Sequence, residues 1–188
     1  DIRGFSPIAE ALTPVELTDL LGEFRAILAQ TIRDHGGVVD KFIGDAVMAV
    51  FGFPEPNDSS AERCLACAHA MPGRLKIWSE KRVLAGQPPV SIGVGMHYGE
   101  AFVGVVGRDD LLEFTVIGDT VNIAERVERL SRNFDADIVV SGPFAEEAKL
   151  GPHSTDWFLA SAQTIAGHSR PIDVRYFRGK DVRAMTTA

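Results

Sequence analysis

From position 13 to position 35 the chain follows a helical rhythm. Leu17, Leu20, Leu21, Phe24, Ile27, Leu28 and Ile32 recur at three- and four-residue spacing and define one apolar face. Thr13-Pro14-Val15-Glu16 reads as a capping box with proline at the first helical position, and His35-Gly36-Gly37 reads as a left-handed stop. The rhythm then changes. Val38 to Ile43 and Ala46 to Phe51 are strand-like runs joined by Gly44-Asp45, which predicts a tight hairpin with Asp45 at its tip. Ser59 with Glu62 repeats the capping pattern before a second helix, which Pro72 is expected to kink or interrupt.

Farther along, Val90 to His97 and Ala101 to Val106 read as a second hairpin around Tyr98-Gly99-Glu100. Leu111 to Ile117 reads as a strand leading through Gly118-Asp119 into a helix from about Thr120 to Leu130. A short strand at Ile138 to Val140, a small helix near Phe144 to Leu150, and strands at Trp157 to Ile165 and Ile172 to Phe177 follow. Residues 1–179 form one expected domain, and 180–188 are expected to be a disordered tail. The alternation of helices and hairpins predicts a mixed α/β (α+β) chain. With a strand ahead of Asp1 it matches a ferredoxin-like β-α-β-β-α-β core carrying extra C-terminal strands.

Composition narrows the chemistry. A chain of 188 residues, 45% hydrophobic and 24% charged, suits one globular domain. The net charge of -7 argues against a nucleic-acid surface, though not against a nucleotide whose phosphates are neutralised by metal ions. Cys64 and Cys67 have redox-pair spacing, but they fall inside an expected helix without a second cysteine pair. They read as packing residues in a reducing cytoplasm. Phosphate-cradling, dinucleotide, nucleophile-elbow and zinc-protease motifs are all missing from the sequence.

What remains is carboxylate. Asp1 precedes a glycine turn into the first helical region, and Asp45 sits on a hairpin tip. In a ferredoxin-like sheet those two places adjoin, so two carboxylates there would suit a hard cation such as Mg²⁺ or Mn²⁺.

Three segments sharpen this reading: Asp1-Ile2-Arg3-Gly4-Phe5, Asp40-Lys41-Phe42-Ile43-Gly44-Asp45, and Phe114-Thr115-Val116-Ile117-Gly118-Asp119-Thr120-Val121-Asn122-Ile123-Ala124-Glu125-Arg126. In order and separation they resemble the class III nucleotidyl cyclases. The stretch Gly93 to Glu100 and the segment around Gly167 and Pro171 agree with that family too. The resemblance implies an adenylyl cyclase that makes cyclic AMP from ATP with two Mg²⁺ or Mn²⁺ ions per site. Asp1 and Asp45 would be the metal-binding aspartates, with the Ile2 carbonyl as a further donor. Lys41 and Thr115 would read the base, Asn122 would orient the ribose, and Arg126 would stabilise charge on the phosphate. His168 and Arg170 are alternative candidates for the triphosphate.

The resemblance further implies a homodimer with shared sites, Asp1 and Asp45 coming from one subunit and Lys41, Thr115, Asn122 and Arg126 from the other. It places the family's first strand upstream of Asp1 and leaves room for an upstream regulatory or membrane domain. Many adenylyl cyclases carry Asp where this chain has Thr115, so base selection is expected to be looser. The threonine form resembles a subgroup that includes bicarbonate-responsive cyclases, which makes bicarbonate stimulation an expectation. Guanylyl cyclase is disfavoured by Lys41, since an ammonium donates to adenine N1 but faces a hydrogen on guanine N1. A catalytically silent relative is disfavoured by the presence of Asp1, Asp45, Asn122 and Arg126. A diguanylate-synthesising domain is disfavoured because its Gly-Gly-acidic-acidic-Phe signature is missing.

Overall fold

The computed structural model describes residues 1–54, 57–151, 154, 156–166, 168 and 170–179; the expected tail at 180–188 lies outside them. In chain order the elements are α1 (Phe5–Glu10), α2 (Pro14–Asp34), β1 (Val38–Ile43), β2 (Ala46–Val50), α3 (Ser60–Leu84), β3 (Val94–Met96), β4 (Phe102–Arg108), β5 (Leu111–Ile117), α4 (Asp119–Asn133), β6 (Ile138–Ser141), α5 (Gly142–Glu147), β7 (Trp157–Gln163) and β8 (Ile172–Phe177). They fall into two compact units, one comprising Asp1–Ile92 with Gly104–Thr115, the other Gly93–Val103 with Val116–Ala188.

In the first unit, α2 begins with the expected capping box. Thr13 Oγ1 accepts from the Glu16 amide, and the Glu16 carboxylate accepts from the Thr13 amide at 2.8 Å. Its apolar face buries Leu20, Phe24, Leu28 and Ile32, and the α3 helix it packs against buries Cys67, Leu75 and Trp78. Each such side chain contributes about 1.5–3 kcal/mol by leaving water. The Phe24 and Trp78 rings meet at 6.4 Å, and Trp78 Nε1 donates to Glu23 Oε2 at 2.6 Å.

Helix α3 departs from expectation twice. It runs unbroken past Pro72, and the Ser59 side chain does not cap it. Just ahead of it, Asn57 Oδ1 accepts from the Ser59 amide and from the Ser59 and Ser60 hydroxyls. Helix α1 was not expected at all.

The β1–β2 hairpin forms with Ile43 opposite Ala46 and with Gly44 at φ 61°. The ladder skips Asp40: Val39 faces Ala49 and Lys41 faces Met48, so Asp40 is a bulge residue. Near the chain start, Ile2 is fully buried and forms an isolated antiparallel bridge to Ile92, and the Arg3 amide donates to the Ser91 carbonyl.

The second unit is built on a four-stranded sheet in the order β3-β6-β8-β7. Strand β3 pairs parallel with β6, whereas β6–β8 and β7–β8 are antiparallel. This overturns the hairpin expected between Val90–His97 and Ala101–Val106. Strand β3 takes a partner more than forty positions away, and β4 pairs with β5 in a separate two-stranded ribbon. Helix α4 covers the four-stranded sheet, burying Ile123, Val127 and Leu130 against Ala136, Val139, Ile165 and Val174. Two glycines let it come close. A β-carbon on Gly93 would lie 2.4 Å from Ser131 Oγ, and one on Gly95 would lie 2.3 Å from the Glu128 nitrogen.

Candidate active site

Lys41 and Thr115, the positions expected to read the base, both lie in the first unit. Lys41 on β1 donates from Nζ to Oε1 of Glu113 on β5. Glu113 and Thr115 are two residues apart on one strand and therefore share a face, while Phe114 turns the other way and packs on Phe53 at 5.6 Å. Thr115 is buried. The contact with Glu113, supported by its coulombic attraction, raises the Lys41 pKa above the ordinary lysine value, so the side chain stays a cation at neutral pH. Sequence reasoning missed Glu113. Its one signal was its place two residues before Thr115 on the same face of a strand.

Asp45 follows the left-handed Gly44 on the hairpin tip, and its half-buried carboxylate takes part in no hydrogen bond or ion pair among the described residues. Arg25 clamps this turn from α2. Its Nη2 donates to the Gly44 carbonyl at 2.8 Å while its guanidinium lies 5.0 Å over the Phe42 ring. Asp1 is half-buried in the same unit.

No group of three or more His, Cys, Asp or Glu side chains suited to a metal occurs among the described residues. The expected donors are fewer: two carboxylates and the Ile2 carbonyl. A hard cation that keeps water and takes substrate phosphate oxygens fits such a sparse, all-oxygen set, as Mg²⁺ commonly does. The uncommitted carboxylate of Asp45 is the feature of this structure that agrees with it.

In the second unit, Asn122 and Arg126 stand one helical turn apart on α4, flanking the buried pair Ile123 and Val127. Arg126 is half-buried, and its Nη1 is shut off from solvent without a hydrogen-bond partner. A buried guanidinium nitrogen left unpaired is costly, and an anionic oxygen is the natural partner for it.

At the start of α4, Thr120 Oγ1 donates to the Glu100 carbonyl at 2.5 Å, and a β-carbon on Gly99 would lie 2.7 Å from that hydroxyl oxygen. His168 donates from Nδ1 to the Arg170 carbonyl at 2.7 Å and holds Nε2 4.0 Å from the Asp119 carboxylate. The Arg170 side chain is exposed. Gly167, part of the same sequence motif, lies outside the described residues.

His97 has a structural place. Its Nδ1 is 2.7 Å from Ser141 Oγ, and burial holds its pKa below the usual histidine value. Cys64 and Cys67 on α3 form no disulfide, and burial pushes both up in pKa, Cys67 to about 11.

The family model for the adenylate and guanylate cyclase catalytic domain matches residues 1–146. The chain belongs to that family. An adenylate cyclase of Anabaena cylindrica is 34% identical over 145 residues, covering 75% of this chain and 28% of the relative. Adenylate cyclase 1 of Rhizobium meliloti is 32% identical over 149 residues, covering 79% of this chain and 22% of the relative. The chain thus spans only about a quarter of these curated relatives.

Among solved structures, the guanylyl cyclase Cya2 superposes with a TM-score of 0.83 at 27% identity, covering 97% of this chain and 91% of that one. The adenylyl cyclase CyaB from P. aeruginosa superposes with a TM-score of 0.82 at 28% identity, covering 95% and 90%. The mixed α+β fold is that of the class III cyclase catalytic domains. No helix among the described residues is long and apolar enough to cross a membrane.

Proposed function

We propose that this chain is the catalytic domain of an adenylyl cyclase, converting ATP to cyclic AMP and pyrophosphate at sites shared between two copies. The observation that carries the preference for ATP is the placement of the Lys41 ammonium against β5, on the strand that carries Thr115. Lys41 donates to adenine N1, and the Thr115 hydroxyl accepts from the exocyclic amine. Because the hydroxyl can also donate, discrimination against GTP is moderate.

Asp1, Asp45 and the Ile2 carbonyl would hold two Mg²⁺ or Mn²⁺ ions, which when bound lower the pKa of a coordinated hydroxyl and neutralise phosphate charge. The reaction joins the ribose 3′-oxygen to the α-phosphorus and breaks the bond from that phosphorus to the bridging oxygen. The hydroxyl proton is lost, and the electron pair departs with pyrophosphate. Asn122 holds the ribose so that its 3′-oxygen faces the phosphorus in line, converting a floppy encounter into a positioned one. Arg126 offers its unpaired Nη1 to charge building on the phosphate oxygens. His168 or Arg170 would meet the triphosphate.

Sharing between two copies is supported by the β4–β5 ribbon. Phe102, Val105, Val106, Leu111, Leu112, Phe114 and Ile117 are all exposed on it, more apolar surface than an isolated chain normally leaves in water. Two cysteines that form no disulfide suit a reducing cytoplasm. An upstream regulatory or membrane domain is in keeping with the longer relatives. Thr115 resembles the form carried by a subgroup that includes bicarbonate-responsive cyclases, so bicarbonate should raise the initial rate over chloride at fixed pH; equal rates remove that part of the reading.

The deciding experiment incubates the protein with ATP or GTP and Mg²⁺ or Mn²⁺ and resolves the products by chromatography. Cyclic AMP that is lost in Asp45→Ala supports the reading. Absence of any cyclic product from a folded dimer overturns it in favour of a silent regulatory domain.

A further inference from the structure

The turn that carries Asp45 has little of its own to hold it still. Among the described residues, β1 and β2 pair only with each other, and a two-stranded ribbon is marginal without outside support. Gly44, at φ 61°, tolerates more than one orientation of the peptide that follows it, because no β-carbon selects among them. That peptide leads directly into the Asp45 α-carbon. Its tilt therefore governs the direction in which the Asp45 side chain leaves the tip.

Arg25 supplies the missing restraint from α2. Phe24 and Leu28 beside it are buried, so the helix at this point is a fixed base. From there Nη2 donates at 2.8 Å to the Gly44 carbonyl, the oxygen of that same peptide, 19 positions away. The guanidinium lies 5.0 Å over the Phe42 ring, which restrains its plane as well as its reach. Among the described residues Arg25 makes no ion pair, and neither does Asp45. The cation takes the carbonyl and leaves the adjacent carboxylate uncommitted.

We propose that Arg25 is a positioning residue for metal binding: by holding the Gly44–Asp45 peptide it fixes the direction of the Asp45 carboxylate without neutralising it, leaving it to a divalent cation. This rests on Asp45 being a metal ligand. The sign of the effect separates a clamp from a bare charge. A guanidinium near a cation site repels the cation, so as charge alone its removal would tighten metal binding. As a clamp, its removal weakens it.

The test measures Mn²⁺ binding directly, by loss of the free-ion electron paramagnetic resonance signal. It compares the parent with Arg25→Met, Arg25→Lys and Asp45→Ala, and thermal unfolding is recorded without metal. Arg25→Met keeps a stem over Phe42 but can neither donate nor repel. It should weaken Mn²⁺ binding about tenfold, as loss of a group that orients a metal ligand commonly does. Arg25→Lys, which keeps the charge and a donor, should recover part of that loss. Unfolding temperatures should stay within about 3 °C of the parent. In an Asp45→Ala background, Arg25→Met should lower the affinity no further, because Arg25 acts through Asp45.

If Asp45→Ala weakens Mn²⁺ binding and Arg25→Met does not, the positioning role is wrong while the metal-ligand role stands. If Asp45→Ala leaves binding intact, the metal-ligand role itself fails and the proposal falls with it. Tighter binding in Arg25→Met would reduce Arg25 to a repelling charge. Weaker binding together with unfolding well below the parent would make the clamp structural, and either result overturns the proposal.

Discussion

Gly95 and Glu128 touch backbone to backbone: a β-carbon on the glycine would lie 2.3 Å from the Glu128 nitrogen and 2.4 Å from its α-carbon. Strand β3 and helix α4 can approach this closely only because position 95 has no side chain. Since α4 carries Asn122 and Arg126, the glycine sets the height of those two side chains above the sheet. Gly95→Ala should destabilise the fold by about 1–3 kcal/mol, as overpacking commonly does. Chemical denaturation would measure it, and an unchanged midpoint would contradict the contact.

Arg126→Ala should lower kcat roughly 100- to 1,000-fold with a modest change in KM, because the lost interaction forms as charge develops in the transition state. Its orphaned Nη1 makes the folded protein no less stable without it. Circular dichroism and unfolding should therefore look like the parent. A KM effect without a kcat effect would assign Arg126 to substrate binding alone.

Mixing two dead variants tests the shared site. Asp45→Ala and Arg126→Ala proteins, each inactive, should regain activity together, because a mixed dimer holds one intact site. Random pairing makes about half the dimers mixed, so recovery approaches roughly a quarter of the parent rate for a twofold-symmetric pair. No recovery despite proven subunit exchange would place all the residues of a site on one chain.

His97 gives stability a pH dependence. Burial depresses its folded-state pKa below the unfolded value, so the unfolded chain binds the proton more readily. The stabilising contribution of neutral His97 is complete above the ordinary histidine value and is lost as pH falls through the lowered folded one. The nearby Asp119 charge opposes this shift, and His168 reinforces it. In His97→Asn, the decline in denaturation midpoint on acidification should be shallower. A curve parallel to the parent's would assign the pH response elsewhere.

The thiols should be quiet. With Cys67 pushed up to about 11 and Cys64 raised further by burial, little thiolate exists at neutral pH. A colorimetric thiol reagent should react slowly with the native protein and rapidly after denaturation. Fast native labelling would contradict the buried placement.

Local chemistry was readable in the sequence, and long-range pairing was not. The Thr13–Glu16 box, the Gly44-Asp45 turn and the β8 bounds all follow from neighbours within a few positions, and the structure keeps them. The β3–β4 hairpin failed because β3 finds its partner in β6, a parallel choice that no adjacent turn announces. Ser59 failed as a cap because its backbone sits at φ -103° and ψ 4°, outside the extended region from which a cap side chain reaches the first-turn amides. The bulge at Asp40 left no mark on the hydrophobic alternation. The proposed roles of Asp1, Asp45, Asn122 and Arg126 rest on family resemblance carried by their sequence motifs. Glu113 escaped because its meaning depends on a lysine far away in sequence.

The exposed apolar ribbon has a kinetic consequence. If each functional site needs two chains, then well below the dimer dissociation constant the rate grows with the square of the chain concentration rather than in proportion to it. Any neighbouring segment that gathers two copies, or holds them apart, then becomes a throttle on output without touching a reacting atom.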